Sequence, residues 1–282
     1  MPRPTAPRAW LAGPALIGFA ANSLLCRTAL RPDLIDPVTF TSVRLVSGAL
    51  ALSLLALPVA PPVEVPRAGR WRSGAALFAY AITFSAAYVE IGAGVGALLL
   101  FGSVQLTMLG WGLYSGERPG PREWTGLAMA LSGLVGLVLP GLTAPAPRGA
   151  ALMVAAGIAW AVYTLRGRGT SDPLLTTAGN FALAVPMTVA ASLLTAPAAH
   201  AQPRGLALAA VSGAIASGLG YTLWYSALPE LGATRAAIVQ LTVPVLTAAA
   251  GVALLGEAVT PRLVASAAAI LCGVALAVVP SR

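Results

Sequence analysis

Two stretches of this chain decide its fold once they are set one above the other. Residues 91–140 read IGAGVGALLLFGSVQLTMLGWGLYSGERPGPREWTGLAMALSGLVGLVLP, and residues 231–280 read LGATRAAIVQLTVPVLTAAAGVALLGEAVTPRLVASAAAILCGVALAVVP. They align without a gap at an offset of 140 residues, close to half of the 282-residue chain. The identities include Gly92 with Gly232, Ala97 with Ala237, Thr107 with Thr247, Gly116-Glu117 with Gly256-Glu257, Pro121-Arg122 with Pro261-Arg262, Gly133 with Gly273 and Pro140 with Pro280. Apolar sequence of low complexity matches its leucines and alanines by chance, but not its glycine, proline and glutamate punctuation. The register runs back through Glu90 with Glu230 and, more loosely, to Ala15 with Ala155, so the repeat unit is half the chain.

The composition says what solvent these repeats occupy. Hydrophobic residues make up 57% of the chain and charged residues 9%, and the mean hydropathy is +0.83. A soluble domain carries about 25% charged residues. A helix needs roughly 20 apolar residues to cross the hydrocarbon core. Apolar runs between turn signals predict ten such helices, near 10–29, 37–57, 73–90, 93–115, 121–139, 149–166, 173–196, 205–228, 232–255 and 261–279. The expected fold is an all-α polytopic membrane protein, with a first five-helix repeat over 1–140 and a second over 141–282. Five is odd, so the second half must insert upside down relative to the first, the inverted-topology arrangement of secondary transporters.

The formal charge of +8 does not point to nucleic acid, because the arginines fall singly between lipid-facing runs instead of forming a basic face. They report orientation instead. The N-terminus, the loops after even-numbered helices and the C-terminus hold Arg3, Arg8, Arg67, Arg70, Arg72, Arg118, Arg122, Arg166, Arg168, Arg235 and Arg282. The opposite side holds Arg27, Arg31, Arg148, Arg204 and Arg262, with Arg44 inside the second helix. The positive-inside rule therefore predicts a bacterial inner-membrane protein with both termini cytoplasmic. Cys26 and Cys272 lie in apolar runs without metal-ligand spacing and read as small core residues. The only histidine, His200, falls in a loop. No helix interior carries a carboxylate, and neither an H-E-x-x-H pattern nor a Cys/His cluster is present, so an intramembrane enzyme, a metal or another cofactor is not expected. A channel lacks its ring of charges or its filter motif.

Several segments carry a family resemblance. They are Val38-Thr39-Phe40-Thr41-Ser42-Val43-Arg44, Gly116-Glu117-Arg118, Gly157-Ile158-Ala159-Trp160-Ala161-Val162-Tyr163, the run Gly220-Tyr221-Thr222-Leu223-Trp224-Tyr225-Ser226-Ala227-Leu228, and Pro244 through Gly256-Glu257. With ten helices in two halves, the chain resembles EamA-type carriers of the drug/metabolite transporter superfamily. That resemblance implies secondary transport of metabolites by alternating access. Bacterial members of the family include exporters of amino acids, aromatic ones among them.

Candidate site residues are the polar and aromatic side chains expected at midplane depth. Tyr80, Phe84 and Tyr88 recur at i, i+4 and i+8 in helix 3, and Phe101 and Gln105 lie one turn apart in helix 4, so each set shares a face. Trp160 and Tyr163 in helix 6, Tyr221, Trp224 and Tyr225 in helix 8, Asn22 in helix 1 and Gln240 in helix 9 complete an aromatic-walled cavity with a few amide groups, suited to amphipathic zwitterions. Each of these residues could equally serve as helix-packing glue. Arg44 either holds a substrate carboxylate, or snorkels or pairs with backbone carbonyls. Pro186 and Pro244 interrupt helical runs and are candidate hinges. Glu90, Glu117, Glu230 and Glu257 sit at helix ends, where carboxylates cap helices. Trp10, Trp71, Trp111 and Trp124 read as interfacial belt or packing residues. The expected partners are a small-molecule substrate, amino acids first with nucleotide sugars, vitamin-like metabolites and cationic drugs as the alternatives, and the lipid bilayer, with the protein itself a monomer.

Overall fold

The computed structural model describes residues 8–30, 33–91, 93–138, 146–255 and 258–278. Within the repeat, Gly92, Pro140, Gly256, Glu257 and Pro280 lie outside the described residues, as do Arg3, Arg31 and Arg282 of the arginine census. The helices are α1 (Ala12–Leu30), α2 (Pro37–Ala56), α3 (Trp71–Glu90), α4 (Ala93–Tyr114), α5 (Pro121–Val138), α6 (Pro147–Gly167) and α7 (Pro173–Thr195), followed by α8 (203–231), α9 (233–255) and α10 (Pro261–Val278). The boundaries between α8 and α9 need explanation. Helical geometry persists past Pro229 and breaks at Gly232, whose φ of 69° and ψ of 172° belong to glycine alone. The sequence expectation put this break at Pro229-Glu230. Proline removes only its own N–H, which the last turn of a helix tolerates, so the chain reverses at the glycine instead.

Among the described residues, seven stretches are long and apolar enough by themselves to cross a bilayer, the continuous span Pro203–Gln240 being one of them. The chain is therefore an all-α, multi-pass membrane protein. Two of its helices start in the same way. Asp36 precedes Pro37, and its Oδ1 accepts from the N–H groups of Val38 (3.0 Å) and Thr39 (2.9 Å). Asp172 precedes Pro173 and accepts from Leu175 N at 2.9 Å. Each cap satisfies orphan donors and is worth about 1 kcal/mol.

Without a hydrophobic drive between helices in lipid, close backbone approach decides the packing. Along the seam of α5 and α10, Gly126 faces the backbone of Gly273, and a Cβ on Gly133 would come within 2.8 Å of the Ser266 carbonyl oxygen. Subtracting the repeat offset turns Gly273 into Gly133 and Ser266 into Gly126, so the two contacts are the same contact made twice. A second pair behaves alike. The Arg148 guanidinium lies 3.4 Å from the Glu90 carboxylate, and at the positions 140 residues away Glu230 accepts from the backbone N–H of Arg8 at 2.6 Å.

Cys26 is buried as expected, but Cys272 is exposed on the outer face of α10, because the buried stripe of that helix runs through Ser266, Ile270, Gly273 and Ala277. Trp10, Trp71, Trp111 and Trp124 are all exposed. They fall at the start of α1, the start of α3, the end of α4 and the start of α5, where interfacial indoles belong.

Candidate functional site

The innermost feature is a cluster of rings between α1, α3, α6 and α8. Trp160 lies at its centre, with ring centroids 5.1 Å from Phe19, 5.0 Å from Tyr80 and 4.7 Å from Tyr221. Phe84 and Tyr88 continue the row along α3 at 5.3 Å and 4.7 Å steps, the i, i+4, i+8 face read from sequence. The indole N–H of Trp160 donates to Gln240 Oε1 at 2.5 Å. That bond ties α6 to α9 within the second half of the chain and fixes the plane of the indole.

Tyr80, Phe84, Phe101, Trp160 and Gln240 line a narrow cleft together with Phe19, Ser23, Leu100 and Val243. The cleft adjoins a larger cavity of about 160 Å³ that shares Ser23, Leu100 and Phe101 and adds Arg27, Tyr88, Pro244 and Thr247. Drug-sized ligands occupy roughly 300–1,000 Å³, so this space suits a smaller metabolite. Its walls offer aromatic faces, two hydroxyls from Ser23 and Thr247, and a guanidinium from Arg27, which leans in from the last turn of α1.

The other candidates take structural positions beside the cleft. Asn22 accepts from Ser212 Oγ at 2.6 Å, joining α1 to α8. Gln105 Nε2 donates to the Ala237 carbonyl at 2.6 Å, joining α4 to α9. Tyr225 donates to the Tyr163 carbonyl at 2.8 Å, and the two rings stack at 5.1 Å. Trp224 is fully buried against Phe19. Of the two prolines, Pro244 lines the cavity and Pro186 lies inside α7.

Arg44 is sealed behind the cleft. Its Nε donates to Ser217 Oγ at 2.9 Å and one Nη to Tyr221 at 2.6 Å, while its guanidinium carbon sits 5.4 Å from the centre of the Tyr80 ring. Ser217 belongs to a π-helical stretch, Ser212–Leu219, between the two α-helical parts of α8. Such local widening is frequent at functional sites. From sequence, Ser212, Gly213, Ser217, Gly218 and Gly220 read as small residues that let this helix pack closely against a neighbour, whereas Ser23 and Arg27 do not stand out as site residues. The i, i+4 spacing of Ser23 and Arg27 one turn inside the end of helix 1 was the available signal.

At the end of the molecule opposite the cavity, a carboxylate ties two elements together. Glu117 accepts from the N–H of Ala233 at 2.8 Å, from the N–H of Thr234 at 3.0 Å and from the Thr234 hydroxyl at 2.9 Å. It therefore caps α9 across more than a hundred residues, not the helix that follows it. Arg168 lies 3.2 Å away. Partial burial would raise the Glu117 pKa, but these donors and the Arg168 charge outweigh it and hold the carboxyl below its ordinary value. At the other end of the molecule, burial works against Asp36 in the same way, and the N–H and hydroxyl groups of Thr39, with the His200 and Val38 N–H groups, hold it low.

A multi-pass helical bundle with an aromatic, partly polar cavity between packed helices is the architecture of a membrane transporter. The EamA-like transporter family model matches residues 147–279. An uncharacterized protein of Pseudomonas aeruginosa is 53% identical over 270 residues, 94% of this chain and 92% of that one. A protein of Archaeoglobus fulgidus named as an uncharacterized transporter is 30% identical over 147 residues, 49% of this chain and 50% of that one. A solved crystal structure shares the fold with a TM-score of 0.74 at 21% identity, covering 94% of this chain and 97% of its own. The chain belongs to the EamA-like transporter family, and it is a membrane transporter.

Proposed function

We propose that this transporter exports small amphipathic metabolites, amino acids with aromatic or other apolar side chains first among them, across the bacterial inner membrane by alternating access. The observation that carries the reading is the cleft around Trp160 and Gln240, continuous with the cavity that holds Arg27, Ser23 and Thr247. The ring faces of Phe84, Phe101 and Trp160 suit an apolar side chain once the cleft, about 20 Å³ here, widens, while the guanidinium and hydroxyls suit a carboxylate and the ring faces of Tyr80 and Tyr88 suit an ammonium group. The cavity volume favours an amino acid over a nucleotide sugar.

Ten crossings in two inverted repeats, 1–140 and 141–282, with both termini in the cytoplasm, complete the proposal. The twice-made contacts of the α5–α10 seam and of Glu90 and Glu230 support the repeat. In that orientation the cavity opens outward, and Glu117 closes the cytoplasmic end.

The test is uptake of a panel of radiolabelled amino acids into proteoliposomes, with and without a pH gradient. Saturable uptake that Trp160→Ala and Gln240→Ala abolish in folded protein is expected. Uptake unaffected by both substitutions would move the site elsewhere, and no uptake of any amino acid would remove this substrate class.

A further inference from the structure

A second recess lies at the Glu117 end of the molecule, on the outside of the bundle. It measures about 320 Å³ and is lined by Arg70, Trp111, Val162, Leu165, Arg166 and Arg168. Arg70 immediately precedes α3, Arg166 sits in the last turn of α6, Arg168 follows that helix, and Trp111 is one turn from the end of α4. Three arginines from two separate helix ends therefore line one recess together with one indole and two aliphatic side chains. Trp111 and Val162 are both exposed, and in the orientation proposed above this wall meets the bilayer at interfacial depth.

We propose that this recess binds an anionic phospholipid, its phosphate between Arg70, Arg166 and Arg168 and the top of an acyl chain along Trp111, Val162 and Leu165. Each part of the groove has a counterpart in that ligand. Arginine presents a planar fork of donors matched to phosphate oxygens. Two of the guanidiniums, and the backbone of the third arginine, are held in place. Arg166 Nε donates to Ser73 Oγ at 3.1 Å, Arg168 meets Glu117, and the backbone N–H of Arg70 donates to Asn180 Oδ1 at 2.9 Å. The Ser73 and Glu117 contacts occupy only part of the Arg166 and Arg168 forks, and the Arg70 contact uses none of its guanidinium. A free phosphate ion would use the arginines but has no use for the apolar wall, whereas a lipid buries both. The Glu117 carboxylate on Arg168 reduces the local charge without cancelling the other two cations.

The experiment is native mass spectrometry of the purified full-length chain, titrated separately with phosphatidylglycerol, phosphatidylcholine and inorganic phosphate. Preferential retention of phosphatidylglycerol is expected, weakened about fivefold for each arginine removed in Arg70→Gln/Arg166→Gln. The control Arg118→Gln/Arg122→Gln removes equal charge from the same end outside the recess and should keep the preference. Arg70→Gln alone, at an exposed side chain, carries the same test if the double variant does not fold. Equal losses in test and control variants, undiminished retention in the test variant, or full displacement of the lipid by inorganic phosphate would each overturn the proposal.

Discussion

Arg44 is fully buried, donates to Ser217 and Tyr221, and keeps one Nη without a hydrogen-bond partner. Burying a guanidinium against hydroxyls and a ring face is a poor exchange for hydration unless the charge has a use. Two substitutions separate structure from use. Arg44→Ala opens a cavity and strands both hydroxyls, with an expected loss of about 2–4 kcal/mol. Arg44→Met keeps the volume, so thermal unfolding in detergent should lie close to the parent, and uptake then reports the charge alone. Transport that survives Arg44→Met would confine Arg44 to packing. Trp160 allows a finer reading. Trp160→Phe keeps a ring in the stack but leaves the Gln240 oxygen without its donor, an expected cost of about 1 kcal/mol, while Trp160→Ala removes the floor of the cleft and should cost about 3–5 kcal/mol.

At the level of elements, the start of α9 is the most constrained junction in the chain. Gly232 takes a conformation that other residues reach only with strain, and Glu117 then caps the helix that follows. Gly232→Ala should destabilise by about 1–3 kcal/mol, measurable as a lower midpoint of thermal unfolding. Glu117 makes a pH prediction. Its folded-state pKa lies below the unfolded value, so its contribution is complete above the unfolded pKa, about 4.3, and is lost as pH falls through the folded one. Glu117→Gln should therefore lower thermal stability near neutral pH and flatten the decline on acidification. An unchanged acid profile in the variant would assign that decline to Asp36 or other carboxylates.

For the whole molecule, the repeat makes a prediction about sidedness. In a background with Cys26→Ala and Cys272→Ser, a cysteine at His200 and one at Arg118 should react with membrane-impermeant maleimide from opposite sides, the His200 position from outside. Both reacting from one side would end the inverted arrangement. The same frame explains why the cavity and the closed end lie at opposite faces: Pro244 and Thr247 line the cavity, while Ala233 and Thr234 at the other end of the same helix are held by Glu117.

Residue types and their spacing determined much of this protein. Hydropathy set the membrane environment, aspartate-proline pairs set two helix starts, and the spacing of Tyr80, Phe84 and Tyr88 set a shared aromatic face, because each of these depends on local chain geometry. Tertiary structure decided which polar groups meet. Asn22, Gln105 and Tyr225 carry the same amides and hydroxyl that a binding residue would, and only the arrival of Ser212, Ala237 and Tyr163 from distant helices turns them into ties between elements. Ser23 and Arg27 gained a place in the cavity for the converse reason, since α3, α4 and α9 close around that face of α1. A side chain's type travels with the sequence, but its partner is chosen by packing across hundreds of residues.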